Sequence, residues 1–207
     1  MAEILHVDPE HLKGRHVRRT VEVLREGGLV VYPTDTVYGL GCDVTNKSAL
    51  ERLRRVKGRN SRKPMSFVCS DLTHISQYAW VTNFAYRILK RTLPGAYTFV
   101  LPAAKDTPRM LQSKQKTVGI RIPDHTVPLA LVEQLGNPII STSANRSEQD
   151  VLTDPVALEE ELGAEVDLIV ECGQLPVQPS SVISLLDDAV EILREGAGDL
   201  SSFRQQG

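Results

Sequence analysis

The chain has 207 residues, 24 Lys+Arg and 26 Asp+Glu, a formal net charge of −2, and 41% hydrophobic residues. That composition excludes a disordered, collagen-like or membrane-embedded protein, and a chain of this length can bury a core with no disulfide or structural metal. The small net charge hides segregation, because residues 1–124 carry +10 and residues 125–207 carry −12.

Asp8-Pro9 reads as a cap and first-turn proline, after which Val17, Val21 and Leu24 recur at helical spacing until Gly27-Gly28 stops the helix. Leu29 to Tyr32 is a strand by β-branched content, closed by Pro33. Residues 47–57 predict a helix with Leu50, Leu53 and Val56 on one face. Strands follow at Met65 to Cys69, Tyr97 to Leu101, Val118 to Ile122 and Ile139-Ile140, with helices over 83–92 and 128–135. Leu158 to Leu162 is a short acidic helix. Val166 to Val170, Val182 to Leu186 and Val190 to Leu193 are late strands, the last two paired through a turn at Asp187-Asp188. The expectation is one α/β domain with a mixed sheet.

Several chemistries are missing from the sequence. It has no GxxxxGK[ST], HExxH or GxSxG, and Gly39-Leu40-Gly41 departs from a dinucleotide fingerprint at Val44. Cys42, Cys69 and Cys172 form no CxxC pair, and the five histidines are scattered without metal-ligand spacing, as surface residues would be. The first residues do not read as a signal peptide and no apolar run approaches a membrane span, so a cytoplasmic protein is expected.

Three constellations carry chemistry. Pro33 to Gly41 (PTDTVYGLG) follows a buried strand, where open α/β sheets place ligand loops, and offers two threonine hydroxyls and a carboxylate beside glycines. A geometric turn is the competing reading. Lys57-Gly58-Arg59 with Arg62-Lys63 ends a helix in a loop of cations suited to a triphosphate, where helix C-terminal cations would account only for Lys57. Pro138 to Asn145 runs from a strand into Ser141, Thr142, Ser143 and Asn145, as a binding turn or a self-capping one. In addition, Arg121 sits inside an apolar strand and must be answered by a ligand carboxylate or an internal acid. Pro179-Ser180-Ser181-Val182 and Arg194-Glu195-Gly196, at strand ends, could close the site.

In this order the pieces resemble the YrdC/YciO family, whose catalytic members are threonylcarbamoyladenylate synthases. The resemblance runs from Gly27 to Gly198 and rests on PTDTVYGLG, KGR (57–59) and SAN (143–145). Pro94 to Phe99 and the Pro108-Arg109 region place the chain closest to the YciO branch, in the short single-domain form spanning 1–207 with a core of about 14–200. The resemblance implies a twisted mixed sheet with flanking helices around a positively charged cavity. It implies a reaction of ATP, L-threonine and bicarbonate that releases pyrophosphate and feeds a tRNA modification, with magnesium accompanying ATP. Lys57, Arg59, Lys63, Ser143, Asn145 and Arg194 would hold ATP, with Lys57, Arg59, Ser143 and Asn145 catalytic. Thr36, Arg121, Ser141 and Ser181 would hold threonine. No residue is identified as a general base or a resident metal ligand. The alternative expectation is a protein without catalysis that uses the basic cavity to bind double-stranded RNA or tRNA, and tRNA-modification proteins are the expected protein partners.

Overall fold

The computed structural model describes residues 1–58, 65–105, 107–146 and 149–204. In chain order the strands are β1 (Glu3–His6), β2 (Val30–Tyr32), β3 (Gly39–Asp43), β4 (Ser66–Val68), β5 (Tyr97–Pro102), β6 (Thr117–Arg121), β7 (Ile139–Ser143), β8 (Leu168–Glu171), β9 (Ser181–Ser184) and β10 (Glu191–Arg194). The helices are α1 (Gly14–Arg25), α2 (Lys47–Val56), α3 (Leu72–Tyr78), α4 (Asn83–Thr92), α5 (Thr126–Leu135), α6 (Pro155–Leu162) and α7 (Ser201–Arg204). The strands form one mixed sheet in the order β1-β8-β2-β3-β7-β4-β6-β5-β9-β10. Among the described residues no helix is long and apolar enough to cross a membrane.

Because side chains alternate along a strand, each strand serves two faces. Val31, Leu40, Cys42, Phe67, Phe99, Ile120, Ile140 and Ile183 point to one face, against Leu50 and Leu53 of α2, Ile88 and Leu89 of α4, Leu158 of α6 and Phe203 of α7. Val30, Tyr32, Val68, Ile139, Leu168 and Val170 point to the other, where Val17, Val21 and Leu24 of α1 and Leu131, Val132 and Leu135 of α5 cover them. This second cluster draws no buried residue from β5, β6, β9 or β10 among those described. Two helices therefore cover one end of that face and leave the other end for polar groups.

The periodic elements fall where the apolar spacing puts them, including the β9–β10 hairpin, which turns through Asp187 and Asp188, both at φ 54°. Several boundaries differ. Asp8 does not cap the first helix: its carboxylate accepts from the Glu10 N–H in a separate turn, and α1 starts at Gly14 behind Lys13. The edge strand β1, which pairs with β8, was not expected, nor was α3, capped by Asp71 through the Thr73 and His74 N–H groups. The second half of PTDTVYGLG is strand β3, antiparallel to both β2 and β7. Gly41 is needed there because a Cβ would lie 2.5 Å from Ile139 Cγ2 and 2.9 Å from the Ile140 carbonyl.

Leu24 is fully buried between α1 and the sheet. Leu24→Ala should cost about 2–5 kcal/mol, from lost transfer energy plus a cavity. Urea denaturation measures this; a loss under about 1 kcal/mol would mean that α1 does not seal this face.

Candidate active site

The uncovered end of the second face can be read from the register. Ser141 of β7 pairs with Gly41 and with Ser66, and Ser66 with Gly119 of β6. Gly119 pairs with Val100 of β5, so Arg121 and Thr98, each two residues along, share that face. Thr98 pairs with Val182, and Val182 with Arg194. Serines, a threonine, glycines and two arginines thus form a strip continuous with the helix-covered apolar end. Glycine at 119 keeps the strip low, since a Cβ there would stand 3.0 Å from Ser66 Oγ.

Arg121 is answered by an internal acid. Its Nη2 donates to Asp35 Oδ1 at 2.5 Å, to Thr36 Oγ1 at 2.7 Å and to Thr34 Oγ1 at 3.3 Å. Asp35 Oδ2 accepts from the Asp124 N–H at 3.1 Å. Thr34 Oγ1 in turn donates to the Val37 carbonyl and accepts the Thr36 N–H, which closes the loop on itself. The PTDT loop therefore grips the arginine, and Thr36, fully buried, acts through Arg121 rather than at an open surface. Arg121 Nε is buried with no partner among the described residues. An orphaned N–H on a cation calls for an acceptor brought from outside.

Ser141 lies beside this group and accepts a 2.6 Å hydrogen bond from the Tyr32 hydroxyl. Burial pushes the Tyr32 phenol up to about 12 against the opposing effect of that hydrogen bond, so it stays a neutral donor. His125 is no surface histidine. It is half-buried at the N-terminus of α5, where Nδ1 accepts the Val127 N–H. Burial pulls its imidazole below the ordinary range, with Arg121 adding to the effect and Asp35 and Asp124 opposing it.

The KGR and SAN segments meet at Lys57. This side chain is 4% exposed, and its Nζ donates to the Ser143 carbonyl (2.9 Å), the Asn145 Oδ1 (2.9 Å) and the Asn145 carbonyl. Ser143 Oγ donates to the same Asn145 Oδ1 at 2.6 Å, and Asn145 Nδ2 donates to the Gln149 carbonyl. Helix α2 delivers the lysine, and β7 delivers the acceptors. Arg59 and Lys63 lie outside the described residues.

Arg194 donates from Nε and Nη2 to the Ser180 carbonyl and from Nη2 to Ser180 Oγ, which also bonds Thr98 Oγ1 at 2.9 Å. Burial lowers its affinity for the proton, and the positive charge of Arg121 lowers it further, so the two arginines share one electrostatic environment. Ser181 is not brought to this face. Fully buried, its hydroxyl donates to the Gly198 carbonyl and accepts the Gly196 N–H, holding the chain beyond β10 against the sheet. The residue beside the arginines is Ser180, one step out of phase. Its proximity to Arg194 had a signal only in the adjoining Pro179-Ser180-Ser181 motif.

Among the described residues no three His, Cys, Asp or Glu side chains stand close enough to cage a metal. Asp35, beside the arginines, is committed to Arg121 and Asp124. These groups do not fit a magnesium cage of the protein's own.

A mixed sheet covered by helices on one face and half of the other, with Arg121 and Arg194 at the bare end and the Lys57–Ser143–Asn145 knot where β7 ends, defines an α/β protein of YrdC-like fold. The family model for Sua5, YciO and YrdC, described as Telomere recombination, matches residues 22–196, and the chain belongs to this family. It is 38% identical to Escherichia coli (strain K12) YciO over 205 residues, covering 98% of this chain and 100% of that protein. The crystal structure of E. coli YciO matches with a TM-score of 0.92 over 98% of this chain and all of the other. A threonylcarbamoyl-AMP synthase of Vibrio vulnificus (strain YJ016) is 32% identical over 186 residues, 87% of this chain and 98% of the synthase. The crystal structure of P. abyssi Sua5 complexed with L-threonine matches with a TM-score of 0.89 and 28% identity, over 99% of this chain and 60% of that one.

Adjacent serines should separate cleanly. Ser181→Ala removes the buried hydroxyl and leaves the Gly198 carbonyl and the Gly196 N–H unpaired, and should lower stability by about 1–3 kcal/mol, whereas Ser180→Ala should mainly weaken ligand binding; paired urea melts and ligand titrations test this, and identical effects of the two would refute it. His125 supplies a pH signature. A ring held below its ordinary value of 6.5 in the folded state is protonated more readily when unfolded, so its contribution to stability is intact above that value and declines as pH falls beneath it. His16 shares this direction through burial, then Arg15 and Lys13. His125→Asn, which keeps a capping acceptor, should flatten part of the acid-side loss in urea midpoints; an unchanged slope would assign the titration elsewhere.

Proposed function

We propose that the protein synthesises L-threonylcarbamoyl-AMP from ATP, L-threonine and bicarbonate. The observation that carries this reading is Arg121, whose buried Nε–H has no partner among the described residues and which stands on a polar strip running from Ser141 to Arg194, with the Lys57–Ser143–Asn145 knot beyond Ser141 at the end of β7. The Vibrio vulnificus relative, a threonylcarbamoyl-AMP synthase, and the L-threonine in the P. abyssi Sua5 complex agree with it.

In this reading the carboxylate of threonine pairs with the charge of Arg121, and Ser141, fixed by Tyr32, orients the amino acid. Thr36 contributes by holding the arginine. The amine and bicarbonate condense to a carbamate with loss of water. A carbamate oxygen attacks the α-phosphorus of ATP, the bond to the bridging oxygen breaks, and pyrophosphate leaves with the electron pair. Arg194, Ser143 and Asn145, with Arg59 and Lys63, would cradle the triphosphate and meet the charge that grows on the leaving group, while Lys57, its three N–H donors spent on Ser143 and Asn145, would hold those residues in place and add its positive charge. Fixed donors aimed at developing charge are the larger part of catalysis in such transfers. Magnesium, bound to the phosphates, would neutralise charge there.

A second reading, RNA binding through backbone phosphates, is favoured by Arg87, Lys90 and Arg91, all exposed on α4. It predicts an affinity that falls steeply with salt and is compatible with delivery of a product toward tRNA.

Pyrophosphate release from ATP should require both threonine and bicarbonate. Arg121→Ala should raise the threonine KM by about tenfold to a hundredfold, the worth of a charge-assisted hydrogen bond. Lys57→Ala should lower kcat by about a hundredfold. ATP binding with no threonine-dependent release in pure protein would overturn the reading.

A further inference from the structure

Two buried ionisable groups, Tyr38 and Glu171, have no part in the chemistry above, and both are committed to a single turn. Tyr38, within PTDTVYGLG, is fully buried. Its hydroxyl donates to the Gly173 carbonyl at 2.6 Å and accepts the Cys172 N–H at 3.1 Å. Burial pushes the phenol up, so it stays a protonated donor. Glu171 fixes the same turn: Oε2 accepts the Gly173 N–H at 2.7 Å, and Oε1 pairs with His6 of the edge strand β1. The turn follows β8, which runs parallel to β2, so it opens at the same sheet edge as the PTDT loop.

Tyr38 links this turn to the SAN segment. Its carbonyl accepts the Ala144 N–H at 2.8 Å, one step beyond the Gly39–Ser143 pair at the end of the β3–β7 ladder. Ala144 lies between Ser143 and Asn145, the two residues that Lys57 gathers. Past the turn, the Leu175 N–H donates to the Thr153 carbonyl at 3.0 Å, in the chain that leads away from Asn145. Residues 172–175 therefore hold the SAN turn through two contacts, Tyr38 and Thr153. The Arg121 group is tied differently. Thr34 bonds Thr36 and Val37, Asp35 bonds Asp124, and among the described residues no hydrogen bond reaches this group from residues 172–175.

We propose that Tyr38 and Glu171 are positioning residues for the turn Ser143–Asn145, which they couple to the Cys172–Gly173 turn while the Arg121 group stays independent. The assignment rests on the reading of Ser143 and Asn145 as nucleotide contacts and adds what holds them in register. Neither residue touches a substrate. Tyr38 acts through the main chain of Ala144, and Glu171 acts through the turn that Tyr38 grips. A tyrosine suits this task because its hydroxyl answers one N–H and one carbonyl at once, while its own backbone continues the ladder.

Coupling between sites is reciprocal, so the wild-type protein supplies the first test. In amide exchange followed by NMR, ATP alone should slow exchange at Cys172 and Gly173 by about fivefold or more, and L-threonine alone should leave both unchanged. No protection by ATP, or equal protection by the two ligands, overturns the proposal. Tyr38→Phe keeps the ring and loses both hydroxyl bonds; in isothermal titration it should weaken ATP by about threefold to tenfold, the worth of a hydrogen bond or two, with threonine affinity unchanged. Glu171→Ala leaves the Gly173 N–H unanswered and should do the same, whereas Glu171→Gln keeps an acceptor there and should restore the ATP affinity. A fall in urea stability with ATP affinity intact is the mark of a merely structural role and overturns the proposal, as does a parallel loss of ATP and threonine. If these variants fail to fold, the exchange comparison decides alone. ATP binding without threonine-dependent pyrophosphate release sinks the proposed reaction and leaves this test in force; a protein that binds no ATP loses both.

Discussion

An arginine in the middle of a mixed sheet must be paid for by its neighbours, and most of the local architecture around Arg121 is how that is done. Strand β6 places it between a short parallel partner, β4, and the antiparallel β5, where an unpaired guanidinium would cost several kcal/mol. The answer comes from far along the chain, as Asp35, Thr34 and Thr36 arrive at the end of β2 and point across to β6. That contact obliges the chain to turn sharply after Tyr32, return as β3, and present glycines where β7 and Tyr32 crowd in. The loop sequence, the glycine strand and the buried cation are one solution rather than three features.

The distribution of helices completes it. With α1 and α5 covering one end of the second face, the apolar cluster there makes a dry wall on one side of the polar strip. Tyr32 belongs to that wall through its ring and to the strip through its hydroxyl. Next to a low-dielectric boundary, the charges of Arg121, Asp35 and Arg194 interact more strongly than they would in open water. A loop on a fully exposed sheet could display the same side chains with far less effect.

Much of this could be read from the residues alone. The spacing of Val17, Val21 and Leu24 gave away α1, the β-branched run gave away β2, and the isolation of Arg121 demanded an acid. What escaped was set by packing rather than by propensity. Gly39 and Gly41 have no local preference for a strand, and β3 exists only because β2 and β7 close on both sides of it. The exchange of Ser180 for Ser181 turns on a single step of a period-2 pattern at a strand end, where adjacent serines give no means to choose the phase. His125 was passed over because a cap with a buried ring has no sequence signature distinct from a surface histidine. The segment with Arg59 and Lys63 lies outside the described residues.

The sheet order has a bearing on how the protein is made. Strand β8, residues 168–171, lies between β1 and β2, so the first two strands of the chain hydrogen-bond to one that is synthesised more than 130 residues later. Until it emerges, β1 has no partner and β2 has only β3, and the apolar side of α1 has half a surface to rest on. Contacts this distant in sequence slow folding and leave strand edges open to other chains in the interval. The N-terminal quarter of this protein therefore depends on its last third, and shielding during synthesis matters most for residues 3–32.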